Sequence, residues 1–299
     1  YQIIIMASLD DLKKRISSVK STQKITKAMK MVAAAKLRKA QENAEKGRPY
    51  SQKMQNIVLN LTRSIDDPMN APKLLVGNGK DQTYLCVVLT ADRGLCGGFN
   101  SNICKLAKKK FKEILKKGRD LKIITVGSKG LDQIKREYGK HIIKKFSFKN
   151  KKQISFEEAE IIGNEIIDLF KKDEFDKCIL FYNNFKNVIT QIPEAQQIIP
   201  AENNDDTLKE KEEESFSYEF EPEEEEILED LLPKNISTQV FKAFLENAAS
   251  EQGSRMTAMD NATRNAGDLV DKLTINYNRS RQASITKELI EIISGAESL

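Results

Sequence analysis

Histidine is almost absent from this chain: His141 is the only one in 299 residues. Cysteine is scarce too, and Cys86, Cys96, Cys104 and Cys178 are spaced like neither a disulfide framework nor a metal-ligand set. Together these shortages leave no support for a zinc site and none for an acid–base pair centred on histidine. A reducing compartment is the default for such cysteine usage. No apolar run reaches the length of a membrane-spanning helix, so any membrane association is expected to be peripheral. Proline is missing from Lys234 onward, and Gly253 and Gly267 are the only glycines there before Gly295.

What fills that C-terminal stretch is a repeat. Leu245, Ala249, Gln252, Met256, Met259, Thr263, Ala266, Val270, Leu273 and Tyr277 recur at alternating steps of four and three. This is the spacing of a coiled-coil seam. A helix of about 60 residues would be roughly 90 Å long at 1.5 Å per residue. Such a rod needs another long helix or a partner to cover its stripe.

A second long helix is predicted from Ser8 to about Ser64. Ser8 is the expected N-cap, and Asp10 and Asp11 suit the first turn's dipole. Leu9, Leu12, Ile16 and Val19 begin a stripe that then jumps to Ile25, Met29 and Val32, so a register shift is expected after Val19. A kink is expected at Gly47-Arg48-Pro49, because Pro49 removes a helix hydrogen bond. The domains read as 1–68, an N-terminal helix; 69–232, an α/β domain; and 233–299, a C-terminal helix. The two terminal helices would pair as a long antiparallel coiled coil.

The middle alternates differently. Short apolar runs at Tyr84–Thr90, Leu121–Val126, Ile142–Phe146 and Lys177–Tyr182 read as strands, with helices at about Asn102–Lys117 and Phe156–Phe170. Strands alternating with helices over ~100 residues predict a parallel or mixed sheet. Val188–Ile199 and Phe216–Phe220 are candidate antiparallel edge strands, and Glu202–Glu214 a solvated loop.

Charge is segregated although the net charge is only +5. Lys13–Lys39 holds ten basic residues and no acidic one, while Glu202–Asp230 holds fifteen acidic residues against Lys209 and Lys211. The basic helix is either a solvated face or a dock for an acidic partner, protein or nucleic acid. It lacks interleaved aromatics, and no nucleic-acid module motif is present. Asp92–Asn100 (DRGLCGGFN) lies where a phosphate-cradling loop would lie. Its glycines do not match G-x-G-x-x-G, and no Lys-Ser/Thr pair is there for phosphate and magnesium. A tight strand-to-helix turn is the favoured reading, and Cys96 is read as structural.

Three stretches carry a resemblance: KITKAMKMVAAAK (Lys24–Lys36), DRGLCGG (Asp92–Gly98) and the run from Ser250 to Gly295, which contains SEQGSRMTAMDNAT and INYNRSRQASITKELIEIISG. They resemble the gamma subunit of the rotary F-type ATP synthase. The resemblance implies a Rossmann-like middle domain and a non-catalytic rotor with no cofactor. This would be the central stalk that couples proton flow through the membrane c-ring to ATP synthesis in the alpha3beta3 hexamer. The implied partners are the alpha and beta subunits, with delta or epsilon and the c-ring at the foot, and no nucleic acid; a basic coiled-coil scaffold for nucleic acid is the alternative reading.

The resemblance also implies contact residues. Lys36 and Arg93 correspond to contacts with acidic or catch-loop segments of beta, and Arg281 with Gln282 to a pair that hydrogen-bonds beta. Met29 corresponds to a position facing beta where a positive charge is unwelcome. Ile285, Leu289 and Ile293, with Ile290 and Ile292, correspond to an apolar tip in the hexamer's bearing. The chloroplast form's paired-cysteine switch has no counterpart here, so redox control is not expected. The MTAMDNAT wording and a start at Tyr1 favour a processed mitochondrial form, on the matrix side of the inner membrane, over a bacterial one.

Overall fold

The structure is a computed structural model describing residues 8–64, 72–151, 154–200 and 224–297. Two helices bracket it: α1 (Leu9–Ser64) and α6 (Glu224–Glu297). Between them come α2 (Lys73–Val76), β1 (Thr83–Leu89), α3 (Phe99–Lys116), β2 (Asp120–Val126), α4 (Ser128–Tyr138), β3 (Ile142–Phe146), α5 (Phe156–Lys171), β4 (Lys177–Phe185) and β5 (Gln191–Ile199). The chain divides into two compact units, Tyr1–Ala34 with Arg255–Leu299, and Ala35–Ser254.

The first unit is an antiparallel helix pair. Ser8 caps α1, its hydroxyl accepting from the Asp11 backbone N–H at 3.2 Å. The Gln23 amide end lies against Gly267, Thr263 Oγ1 donates to Thr26 Oγ1 at 2.8 Å, and Lys30 meets Asp260 at 2.6 Å. Numbers fall on one helix as they rise on the other. On α6, Met259, Ala266 and Val270 are buried and Met256, Thr263, Leu273 and Tyr277 half-buried, as the repeat predicts.

On α1 the expected register shift does not occur. The covered residues are Leu12, Ile16, Val19, Gln23, Thr26, Lys30 and Ala33, an unbroken alternation of four and three. Ile25 and Val32 are 60% and 56% exposed, and Met29 is half-buried. Polar and small residues hold the seam after Val19, and paired hydroxyls plus an ion pair satisfy them there. Tracking apolar identity alone therefore follows the wrong stripe.

The second unit is built on a sheet ordered β3-β2-β1-β4-β5, parallel except for β5, which runs antiparallel to β4. Leu85, Val87 and Leu89 pack towards α5 and α6, whereas Tyr84, Cys86 and Val88 pack towards α3 and α4. A sheet covered on both faces needs continuous apolar strands, which is why TYLCVVL reads as an uninterrupted run. The four parallel strands and their helices fall where the sequence places them, and the predicted edge strand Val188–Ile199 becomes β5. The proposed strand Phe216–Phe220 and loop Glu202–Glu214 lie outside the described residues.

Two expectations about the helices change. α1 passes Gly47-Arg48-Pro49 as one helix. Gly47 serves contact with α6: a Cβ there would lie 2.7 Å from the Leu245 side chain. α6 spans Glu224–Glu297 rather than beginning at 233, with Pro233 inside it. Leu228 and Leu232 pull that first segment into a cluster with Val58 and Leu75, so burial overrides the proline signal.

At the start of α5, Ser155 N donates to Glu158 Oε2 at 2.7 Å and Lys151 approaches its other oxygen at 2.7 Å. Lys151 foremost, then Ser155, lowers the Glu158 carboxyl from 4.5 to about 2. Because the folded value lies below the unfolded one, this stabilisation is present above pH 4.5 and is lost as pH falls towards 2. The melting temperature of the full chain should therefore fall less steeply over that window in Glu158→Gln than in the natural chain. Equal slopes would remove the linkage.

Candidate interaction surfaces

In an open, doubly wound sheet the ligand crevice lies outside the carboxyl ends of the strands, where connections leave in opposite directions. Here that point is between β1 and β4, whose flanking helices α3 and α5 cover opposite faces. α6 fills it. Asn247 Nδ2 donates to Leu89 O at 3.1 Å, and its Oδ1 accepts from Asn183 N at 2.8 Å. Ser250 Oγ donates to Asn183 O at 3.2 Å, and Asn183 Nδ2 to Phe99 O at 3.3 Å. The backbone groups that would meet a nucleotide are thus taken up by the protein's own side chains.

The neighbouring turn DRGLCGG is fixed in the same way. Asp92 Oδ1 accepts from Ser128 N and from Ser147 Oγ, both at 2.8 Å, and Oδ2 accepts from Phe148 N at 3.0 Å. Asn100 Oδ1 accepts from Ala91 N at 2.9 Å, while Asn100 Nδ2 donates to Cys96 Sγ at 3.2 Å. A carboxylate at the mouth of the turn repels phosphate rather than cradling it. Cys96 is buried, as the structural reading expects. Burial also pushes the Cys104 thiol up to about 11 and the Cys86 thiol higher, so neither is a ready nucleophile. No group of potential metal ligands forms among the described residues.

Arg48 and Glu246 escape sequence reasoning. Arg48 Nε donates to Glu246 Oε1 at 2.6 Å, and Nη2 to Oε2 at 3.0 Å and to Phe185 O at 2.8 Å. Phe185 N donates to Glu246 Oε2 at 3.0 Å. This clasp joins α1, α6 and the end of β4. Its one sequence signal is a glutamate on an otherwise covered stretch of α6.

The remaining surfaces face outward. Lys36 and Arg93 are exposed, and so are Arg281 and Gln282. Among the described residues, α1 begins at Leu9. Beyond Ser284, Ile285, Leu289, Ile290, Ile292 and Ile293 are 49–67% exposed. Of the basic helix, Lys30 is taken by Asp260 and Arg38 pairs with Glu42 in its own helix. The contact residues expected from the sequence do not converge on one cleft; they lie along α1, α6 and the β1–α3 turn.

A helical pair ending in exposed isoleucines, and an α/β unit whose ligand crevice holds its own helix, define a subunit made for contact with other proteins. Comparison with known proteins identifies the assembly. The family model described as ATP synthase matches residues 8–299. The ATP synthase gamma chain of Pelagibacter ubique is 69% identical over 294 residues, covering 98% of this chain and all of the relative. That of Rhizobium leguminosarum bv. trifolii is 56% identical over 294 residues, with the same coverage. Among solved structures, the Tetrahymena thermophila mitochondrial ATP synthase central stalk and c-ring gives a TM-score of 0.57 at 29% identity, over 80% of this chain and 99% of that one. A Euglena gracilis mitochondrial ATP synthase chain matches in fold, with a TM-score of 0.66 at 21% identity over 97% of this chain and 94% of that one. The chain belongs to the ATP synthase gamma chain family. Both gamma chains with such high identity are bacterial, so the expected mitochondrial location has no support from them.

Proposed function

We propose that this chain turns inside an alpha3beta3 hexamer, coupling proton movement through a c-ring to ATP synthesis at beta-subunit sites, and performs no catalysis itself. One observation carries the reading. α6 runs to Glu297, and its last turns carry exposed isoleucine and leucine on several faces. An apolar helix end left uncovered needs a sleeve. An apolar sleeve suits rotation, because it offers few directional hydrogen bonds to break at each step. The segments 1–68 and 233–299 act as the shaft in this reading, and 69–232 carries contacts to the c-ring and to delta or epsilon.

The mechanism is population shift. A ligand changes a conformational equilibrium only by as much as its affinity differs between the states. A shaft with one basic helix and one mixed helix presents a different face to each of three identical beta subunits. Each is biased to a different nucleotide affinity, and rotation passes the bias on. Met29, Lys36, Arg93, Arg281 and Gln282 supply those differential contacts, and Ile285, Leu289 and Ile293 the bearing. The bacterial relatives favour a bacterial-type complex, with the chain peripheral to the membrane through its partners. No described helix is long and apolar enough to cross a membrane.

The test is a paired substitution. Arg281→Ala with Gln282→Ala in the assembled complex should lower the ATP hydrolysis rate by about tenfold, the loss of a charge-assisted contact worth roughly 1.5 kcal/mol. Subunit ratio and melting temperature should stay unchanged, since both side chains are exposed. An unchanged rate would take these two residues out of the contact set.

A further inference from the structure

The β1–α3 turn contains an outlier that neither the fold nor the Arg93 contact explains. Leu95 has φ 62°, in the left-handed region, and its side chain is 64% exposed. A leucine is strained in that conformation, where glycine is not. Glycines stand nearby at 94, 97 and 98, and Gly97 also takes a positive φ, of 55°. The exposed side chain returns nothing to the core, because the next residue, Cys96, supplies the turn's packing among Ile103, Cys104 and their neighbours. Strain of this kind persists where surrounding structure enforces it, and it marks functional sites.

Enforcement is visible on both sides of Leu95. Asp92 is held by Ser128, Ser147 and Phe148, and the Asp92 carbonyl accepts from Ser128 Oγ at 2.9 Å. On the other side, Asn100 grips Ala91 N and Cys96 Sγ, and Phe99 N donates to Cys96 O at 3.2 Å. The turn is preorganised, and it carries a cation and an apolar side chain two residues apart, both in solvent.

We propose that Leu95 is a coupling contact: an apolar anchor that seats in an apolar recess of the hexamer, beside the acidic group that Arg93 meets. This rests on the reading that Arg93 touches the hexamer. A rigid loop loses little freedom on docking, so a small contact held this way contributes more than a mobile one. Arg93 supplies the charge that brings the surfaces together, and Leu95 supplies the shape that fixes their distance.

The test uses the complete membrane-bound complex with Leu95→Gly, Leu95→Asn, Leu95→Met and Arg93→Ala, each made separately. Glycine and asparagine both tolerate a positive φ. These two variants should assemble in normal subunit ratio with an unchanged or higher melting temperature. Their ATP-driven proton pumping per ATP hydrolysed should fall by about three- to tenfold, as loss of an interface anchor implies. Leu95→Met should retain most of it. Wild-type pumping in Leu95→Gly and Leu95→Asn beside an impaired Arg93→Ala would overturn the role of Leu95 alone. Wild-type pumping in all four would overturn the Arg93 reading as well. Failure of the glycine and asparagine variants to assemble, with methionine assembling, would make Leu95 structural and overturn the proposal.

Discussion

Arg48→Met is expected to destabilise the chain by about 3 kcal/mol, the lower end of the range for breaking a buried ion pair from one side. Glu246 is nearly fully buried, with its side chain 3% exposed, while that of Arg48 retains 37%. Methionine keeps much of the arginine's length and apolar stem, so the change tests charge more than volume. After it, Glu246 keeps the Phe185 N–H but loses both guanidinium bonds, and Phe185 O loses its donor. A carboxylate stranded in this way costs far more than the pair gains when both members are present. Arg48→Met combined with Glu246→Gln should therefore recover part of the loss, because no buried charge is left unpaired. Urea unfolding of the full chain measures both. A single variant within about 0.5 kcal/mol of the natural chain, the effect of an ordinary surface change, would show that water or rearrangement replaces the clasp.

The clasp also separates what sequence could reveal from what it could not. Apolar periodicity places α6 correctly from Leu245 to Tyr277, because its seam residues are mostly large and apolar. It misplaces the seam of α1, because there the covered positions are Gln23, Thr26, Lys30 and Ala33. Their fitness for burial depends on Thr263, Asp260 and Gly267, more than 200 residues away in the chain. Strand positions are legible because a sheet buried on both faces leaves an unbroken apolar run. The sealing of the crevice by Asn247 and Ser250 is not, because their partners are backbone groups of β1 and β4, and only the fold brings those within reach. The proposed contact residues rest only on long stretches shared with a known family, and no local pattern points to them.

Gly127→Ala is expected to cost at least about 3 kcal/mol, more than strain or overpacking alone brings. Gly127 has φ 93°, and a Cβ there would lie 2.2 Å from the Thr90 carbonyl oxygen and 2.8 Å from its hydroxyl. The nearest atom belongs to backbone, so no side-chain rotation relieves the clash. Thr90 cannot retreat either: its N–H donates to Val126 O at 2.8 Å, and its hydroxyl accepts from Gly130 N at 2.9 Å. Gly139→Ala is the control. Nothing lies within 4 Å of its Cβ position and its φ is −56°, so alanine there should be neutral or stabilise by about 0.4–1 kcal/mol through the unfolded state. The consequence of Gly127→Ala reaches beyond stability. Thr90 is two residues from Asp92, whose carboxylate holds the turn to Ser128 N, the residue after Gly127. Pushing Thr90 away moves the platform that presents Arg93 and Leu95. In a complex that still assembles, proton pumping per ATP should therefore fall further in Gly127→Ala than in a variant such as Glu158→Gln, which alters the same unit away from the turn. Equal pumping in the two would mean that the turn keeps its geometry without the Thr90–Gly127 contact.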